Sequence, residues 1–574
     1  MNKLISFSLL AVAASVSLQT QAFKFDTSDD WAIRWDNRLK GNLMYRVENQ
    51  DPSVYDPQRA VPSAAAAVAD DSTYSVRKNK FVSERVDLLS EFDLVWKDAL
   101  GFRVSAAAWY DHGYSGHNNG PRTGPTKGFP AADSTWGSLS VGPGKWTSKA
   151  KDLHYRGSEL LDAFVFANFD VGDVAANVRI GRHTLYWGQS FLTLGAIHGF
   201  AGSMAAIDVS KGFGAPGTEV KELFIPNEKI STVWQFTDKL SVSAYYATGF
   251  EPLRWPEGGT YFSLAEVLTE NSEFFTVIPG NETSSRAGFI ATDYKSRDSG
   301  DWGINIQYYF ESLDLETAFI YLNNTDRLTS GLYSTTAGDN LGSDELALAA
   351  NANAVLIGRY GWVYKEDIDT FGVSLSKQMW DISWGADLVY RNNNALNPGQ
   401  EASLTQPYDS AGDVNPGDRY PGPTGDTVHI VANGLGFLSP DWGIWDGGRY
   451  IVEMTFSRLL RYGQFEDKAN PLINKDDWNT HIGAIFAPTW YQVRPGWDLT
   501  TPLSISYAIK GKQAPNSAGG NERVGNGSAG FAIDVDQTWS MALSYNYFFG
   551  PQKLGPAAYI KDRDNVSFTV KRTF

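Results

Sequence analysis

Residues 31–47 read WAIRWDNRLKGNLMYRV. Trp31, Ile33, Trp35, Leu39, Leu43, Tyr45 and Val47 share one parity, broken only by Asn37 and Gly41. The other parity carries Arg34, Asp36, Arg38, Lys40, Asn42 and Arg46. A period of two writes a β-strand with two unlike faces. Strands of soluble sandwiches run about five or six residues, so this stretch is too long for that setting. A strand crossing a bilayer needs about 9–11 residues, and the excess reaches into headgroups and water. Asn37 and Gly41 then interrupt a lipid-facing row, and contact with a neighbouring protomer or a loop would account for them.

The same alternation returns along the chain. RVDLLSEFDLVWK (85–97) places Val86, Leu88, Phe92, Leu94 and Trp96 on one face, and FRVSAAAWYDHGY (102–114) follows a tight DALG turn. Further hairpins are LLDAFVFANFD with VAANVRIGRH, ISTVWQF with LSVSAYYA, WGINIQYYF with LETAFIY, FGVSLSK with ISWGADLVYR, and GFAIDV with WSMALSYNYFF. Long polar or Gly/Pro-rich stretches separate them, at 115–157, 249–300, 323–362 and 392–426. Short turns on one edge and long loops on the other are the plan of outer-membrane barrels. The final NVSFTVKRTF (565–574) alternates and ends on an aromatic residue, resembling the terminal strand by which such barrels are recognised for insertion. Pairing of residues 31–47 with this last strand would leave no edge exposed in lipid.

The expected fold is therefore all-β: a single transmembrane antiparallel β-barrel of about 16–18 strands, with short periplasmic turns, long extracellular loops and one loop folded into the lumen. Residues 1–22 have Lys3, an apolar run from Leu4 to Leu18, and small residues up to Ala22, the layout of a cleaved signal peptide. The barrel would occupy 23–574. No later apolar run is long enough for a transmembrane helix, and mean hydropathy is −0.30. The absence of cysteine excludes disulfides and Cys-based metal sites. A net charge of −16 argues against nucleic acid as a partner. Aromatics at 14% fit girdles around a polar lumen.

Several blocks resemble one family: RVDLLSEFDLVWKDALGFRVSAAAWYD, YWGQSFLTLGAIHGF, APGTEVKELFIP, EPLRWPEGGTYF and VRPGWDLTTPLSISYAIKGK. They are similar to the Gram-negative domain-of-unknown-function family 1302, over the whole chain after the leader. The resemblance implies an exported, porin-like protein of the outer membrane. It also implies genomic company among envelope proteins and the handling of lipids or hydrophobic compounds. It supplies no catalytic or binding residues.

The inward parity is the place for selectivity. Arg34, Asp36, Arg38, Lys40, Arg85, Asp87, Glu91, Asp93, Arg103, Asp111, Arg179, His183, Glu316, Asp387 and Arg391 are predicted to face the lumen. Segregated across the pore, the two signs would set up a transverse field. Paired with one another, they would merely satisfy a polar interior. Residues 188–226 break the strand pattern and mix Gly and Ala with Phe191, Leu194, Ile197, His198, Phe200, Met204 and Phe213. This segment is expected to fold inward and narrow the lumen, or to cap the barrel mouth.

The function expected is a channel for passive or facilitated diffusion of small, partly hydrophobic solutes. The loop aromatics Trp136, Trp146, Trp255, Tyr261, Phe262, Tyr333, Tyr360 and Trp362 favour that solute class, or else anchor the loops at the interface. The alternatives are a structural or adhesive protein acting through its loops, and a barrel-borne hydrolase using His183 or His198. Neither histidine has a visible nucleophile, so no enzyme is expected. The start of alternation at Trp31 leaves no room for an N-terminal plug or hatch. The seven histidines show no metal spacing. The pieces DVNPGD and NKDDW do not form an EF-type loop, and no cofactor is expected. The expected partners are outer-membrane lipid and a small-molecule solute. A homo-oligomer and envelope-protein partners stay open.

Overall fold

The computed structural model describes residues 23–24, 30–55, 66–116, 118, 138, 141, 144–264, 274–278, 285–291, 299–328, 331–334, 342–351, 354–397, 420, 422–468, 477–512, 521–551 and 559–574. The leader 1–22, Trp136, the piece DVNPGD and the first three residues of NKDDW lie outside them.

Eighteen strands close into one antiparallel barrel. They are β1 (Trp31–Arg46), β2 (Phe81–Trp96), β3 (Leu100–Asp111), β4 (Arg156–Val171), β5 (Val174–His183), β6 (Asn227–Gln235), β7 (Leu240–Ala247), β8 (Trp302–Phe310) and β9 (Leu315–Asn324). There follow β10 (Ile368–Met379), β11 (Ile382–Ala395), β12 (Thr424–Phe437), β13 (Gly447–Tyr462) and β14 (Trp478–Arg494). Strand β15 comes in two pieces, Trp497–Thr500 and Leu503–Gly511, and β16 (Gly525–Val535), β17 (Trp539–Phe549) and β18 (Asn565–Thr573) complete the ring. The break in β15 holds Pro502, which has no N–H to give to the ladder. Each strand pairs with the one before it.

The ring closes where the alternation places it. Strand β18 runs along β1 from Arg38↔Thr573 to Arg46↔Asn565. Phe574 exchanges both backbone hydrogen bonds with Asn37, at 2.8 and 2.9 Å. Beyond it Phe23 and Lys24 continue the row opposite Trp35 and Arg34. Asn37 thus marks the seam where one partner of β1 ends and another begins. Gly41 lies between Val86 and Val570 in register, and a Cβ there would meet open space, so it leaves a shallow notch in the outer row.

The barrel is inside-out relative to a soluble sheet. In β13, Glu453, Thr455 and Ser457 are only 2–3% exposed, whereas Val452 and Met454 are 40% and 45% exposed. Lipid solvates the outer row, and the lumen must satisfy the inner one. The turns at one edge are short. Trp380 and Asp381, at φ of 56° and 60°, form a two-residue turn of the kind that matches strand twist. The opposite edge carries the long connections. Two of them share a small sheet in which Arg286–Ala291, from the connection between β7 and β8, runs parallel to Ala354–Val363, from that between β9 and β10. The loop aromatics Trp146, Trp255, Tyr261, Phe262 and Tyr360 are packed away, at 7% exposure or less, and do not serve as interfacial anchors. The side chains of Tyr333 and Trp362 lie outside the described residues.

Two apolar clusters lie inside the barrel, and the segment between β5 and β6 contributes to both. Phe200 and Met204 pack against Tyr245, Ile320, Leu322 and Val389. Ile197 and Ile207 pack with Leu253, Trp255 and Ile560. The loop expected to fold inward does so.

Candidate functional site

The inserted segment meets two unlike walls. On strands β1 to β4 the wall is charged. Arg103 grips Asp93 bidentately, at 2.6 and 2.8 Å, and Asp93 stands opposite Arg34 in register. Arg34 itself pairs with Asp36. Asp87 takes Arg85 at 2.7 Å and Lys40 at 3.7 Å. Asp111 accepts from the Ser83 hydroxyl at 2.6 Å and from the Glu84 and Gly113 amides at 2.8 and 2.9 Å. The segment adds its own charges to this network. Arg38 pairs with Glu219 and, at 3.2 Å, with Glu222. Lys40 donates to Thr218 at 3.0 Å. Lys211 pairs with Glu159, while Arg254 bridges Glu159 and Asp208 at 2.9 and 2.7 Å. Among the described residues, two small voids of about 20 Å³ each lie along this wall.

Across the lumen, strands β11 to β13 hold the segment by its backbone. Asp387 accepts the Gln189 amide at 3.1 Å and the Ser374 hydroxyl at 2.6 Å. Gly188 has φ of 96°, and a Cβ there would lie 2.7 Å from Asp387 Oδ2, so only glycine permits this approach. Glu453 accepts from Phe191 and Leu192 at 2.6 and 3.2 Å, capping the short helix Thr193–His198 from the barrel wall. A Cβ on Gly195 would fall 2.1 Å from that carboxylate. Arg391 takes the other end, donating to the Ile197 and Gly199 carbonyls at 2.8 Å each. The last helical residue, His198, lies 2.9 Å from His429 between the two Nδ1 atoms, and His429 Nε2 lies 2.9 Å from Thr427.

Between these attachments the segment meets the third wall, β14 to β17, through Leu192 at Gly483 and Phe213 beside the Phe548 ring, and leaves a gap between these contacts. A cavity of about 360 Å³ lies there. The segment lines it with Leu192, Leu194, Ile197, Val209, Phe213 and Leu223. The barrel lines it with His481, Gly483, Ile485, Ser504, Ser506 and Asn526. His481 Nε2 is 3.1 Å from Ser506 Oγ, and Ser506 faces Asn526 in register.

The predicted site residues therefore divide. Arg34, Asp36, Arg38, Lys40, Arg85, Asp87, Asp93, Arg103 and Asp111 are consumed in pairing, and Asp387 and Arg391 in holding the segment. His183 is 1% exposed and bonded to Ser231 at 2.8 Å and to the Gly181 carbonyl at 2.9 Å. Arg179 lies over the Phe164 ring at 5.7 Å. Glu91 stands opposite Asp36 and Ser105, and Glu316 is exposed opposite Tyr309 and Ser376. Of the segment residues, Leu194, Ile197 and Phe213 reach the cavity. Phe200, Met204 and His198 anchor, and Phe191 is 38% exposed. Sequence reasoning missed Glu453, the meeting of His198 with His429, and the whole cavity wall on β14 to β16. The inward parity of 447–462 would have exposed Glu453. The serines of β15 carry no comparable signal.

A search among curated proteins gives no match. Among solved structures the chain is similar to OccAB1 of Acinetobacter baumannii, at 11% identity and TM-score 0.40, covering 97% of this chain and 99% of that one. OccAB4 of the same organism aligns at 8% identity and TM-score 0.40, covering 96% and 99%. OpdK of Pseudomonas aeruginosa with vanillate aligns at 8% identity and TM-score 0.38, covering 94% and 98%. The family comparison is more direct. The family's sequence model matches from residue 3 to residue 574. The chain belongs to the family described as protein of unknown function, DUF1302.

Proposed function

We propose that the protein is an outer-membrane channel of a Gram-negative bacterium, exported by a cleaved leader over residues 1–22, through which small, partly apolar solutes diffuse. The supporting observation is the asymmetric insertion. The segment is held by ion pairs against β1 to β4 and leaves a cavity of about 360 Å³, apolar on the segment's side, against β14 to β17. A channel whose lumen is narrowed by a fixed loop selects by the residues that face the remaining lane. His183 and Ser231 touch, but at 1% and 5% exposure they offer a substrate no access.

The test is reconstitution of the purified full-length protein in planar bilayers. Discrete, solute-sensitive current steps are expected. A correctly folded, inserted barrel that stays silent and instead releases acid from lipid esters would replace the channel with a hydrolase.

A further inference from the structure

The lining of the cavity carries a chemistry that a merely narrowed pore does not require. Among the described residues its two charged side chains are Asp208 and Glu453, and no Lys or Arg lines it. Both carboxylates are already engaged. Asp208 holds Arg254 at 2.7 Å and the Lys211 amide at 2.8 Å. Glu453 holds the Phe191 and Leu192 amides. A solute carboxylate entering here would lose water, find no cation and face two acids, which is unfavourable on both desolvation and Coulomb grounds. A solute ammonium would have to compete with Arg254 and the backbone amides that already hold these carboxylates.

The two faces of the cavity differ. The segment presents aliphatic and aromatic side chains: Leu192, Leu194, Ile197, Val209, Phe213 and Leu223. The barrel wall presents a polar strip on adjacent strands. His481 contacts Ser506 at 3.1 Å, Ser506 faces Asn526, and Ser504 bonds Ser528 at 2.7 Å. Hydroxyl, imidazole and amide groups both donate and accept. They match a single hydroxyl or carbonyl on an otherwise apolar molecule.

The geometry points to a binding site for neutral amphiphiles, with the aliphatic body against Val209 and Phe213 and one uncharged polar group on the Ser504–Ser506–Asn526 strip. This deepens the channel reading and rests on it. The occupant class is an uncharged alcohol, ketone or ester, and the ionised acid of the same chain length is rejected.

The probes are 1-hexanol and hexanoate at pH 8. Saturation-transfer NMR on the detergent-solubilised full-length protein reports binding without any need for conductance. Hexanol is expected to bind about tenfold or more tighter than hexanoate. Val209→Trp, which fills the cavity from the segment side, should abolish the hexanol signal, while Ser506→Ala should weaken it and spare the hexanoate background. Heat-modifiable migration of both variants controls for folding. Hexanoate binding as well as hexanol, or hexanol binding unaltered by Val209→Trp in a folded barrel, would overturn the site. Hexanol binding by a protein that passes no current would uphold the site and overturn the channel.

Discussion

The wall of β1 to β4 and the wall of β14 to β17 face the same inserted segment and treat it in opposite ways. The first is written with alternating signs, and it meets charges that the segment brings: Lys211 by Glu159, and Glu219 and Glu222 by Arg38. The second sets Gly483 against Leu192 and otherwise offers the short side chains of Ser504 and Ser506, which leave room beside the segment. Charge complementarity closes one side to voids of about 20 Å³, and small residues leave about 360 Å³ on the other. Inward charges in a barrel are therefore not by themselves a map of the path. Here they act chiefly as the attachment that holds the segment to one side of the barrel.

The comparison can be broken most severely by deleting residues 192–214. Both walls then face an unobstructed lumen, and single-channel conductance should rise several-fold. Unchanged conductance in an inserted barrel would mean that the segment does not narrow the path. Next in size is Asp87→Asn on the charged wall, which leaves Arg85 and Lys40 without their carboxylate. Breaking such a buried pair costs about 3 kcal/mol, to be read as a fall in the thermal midpoint with conductance little changed.

Arg391→Ala acts on the far anchor. It strips the Ile197 and Gly199 carbonyls of their donor at a cost of about 1–3 kcal/mol. Proteolytic cleavage between 188 and 214 and current noise should both increase. The smallest expected effect concerns pH. Burial, with Arg391 and His481 nearby, pushes the His198 ring from its ordinary value near 6.5 down to about 3. The unfolded chain therefore binds this proton more readily than the folded one. The seated His198 contributes its full stability above about pH 6.5 and loses it progressively as pH falls toward 3. Between pH 7.5 and 4.5 the thermal midpoint should fall more in the natural protein than in His198→Gln. Equal slopes would remove His198 from the account.

Much of this architecture is legible in the sequence because a strand with lipid on one face obeys a strict period of two. Trp31 to Arg46 announces the first strand, and NVSFTVKRTF its closing partner. The inward parity of Arg85, Asp87, Asp93 and Arg103 was equally readable. What these charges do was not, since pairing depends on neighbours brought together across strands and from the inserted segment. Phe191 to Phe213 could be picked out as a non-strand segment with an apolar side. Its attachment by Asp387, Arg391 and Glu453 could not, because the acceptors and donors they serve are backbone groups with no side-chain signature. The cavity wall was invisible for a simpler reason: Ser504, Ser506 and Gly483 look like any inward residues of a barrel strand.

The most direct test uses the absence of native cysteine. Single cysteines at Ser504, on the open wall, and at Ala107, in the narrow void beside Lys40 and Asp87, are treated with a small neutral maleimide during single-channel recording. The Ser504→Cys protein should react quickly and lose most of its current, and the Ala107→Cys protein should react slowly and keep it. The reverse order, or equal rates at the two positions, would contradict a lumen sealed on one side and open on the other.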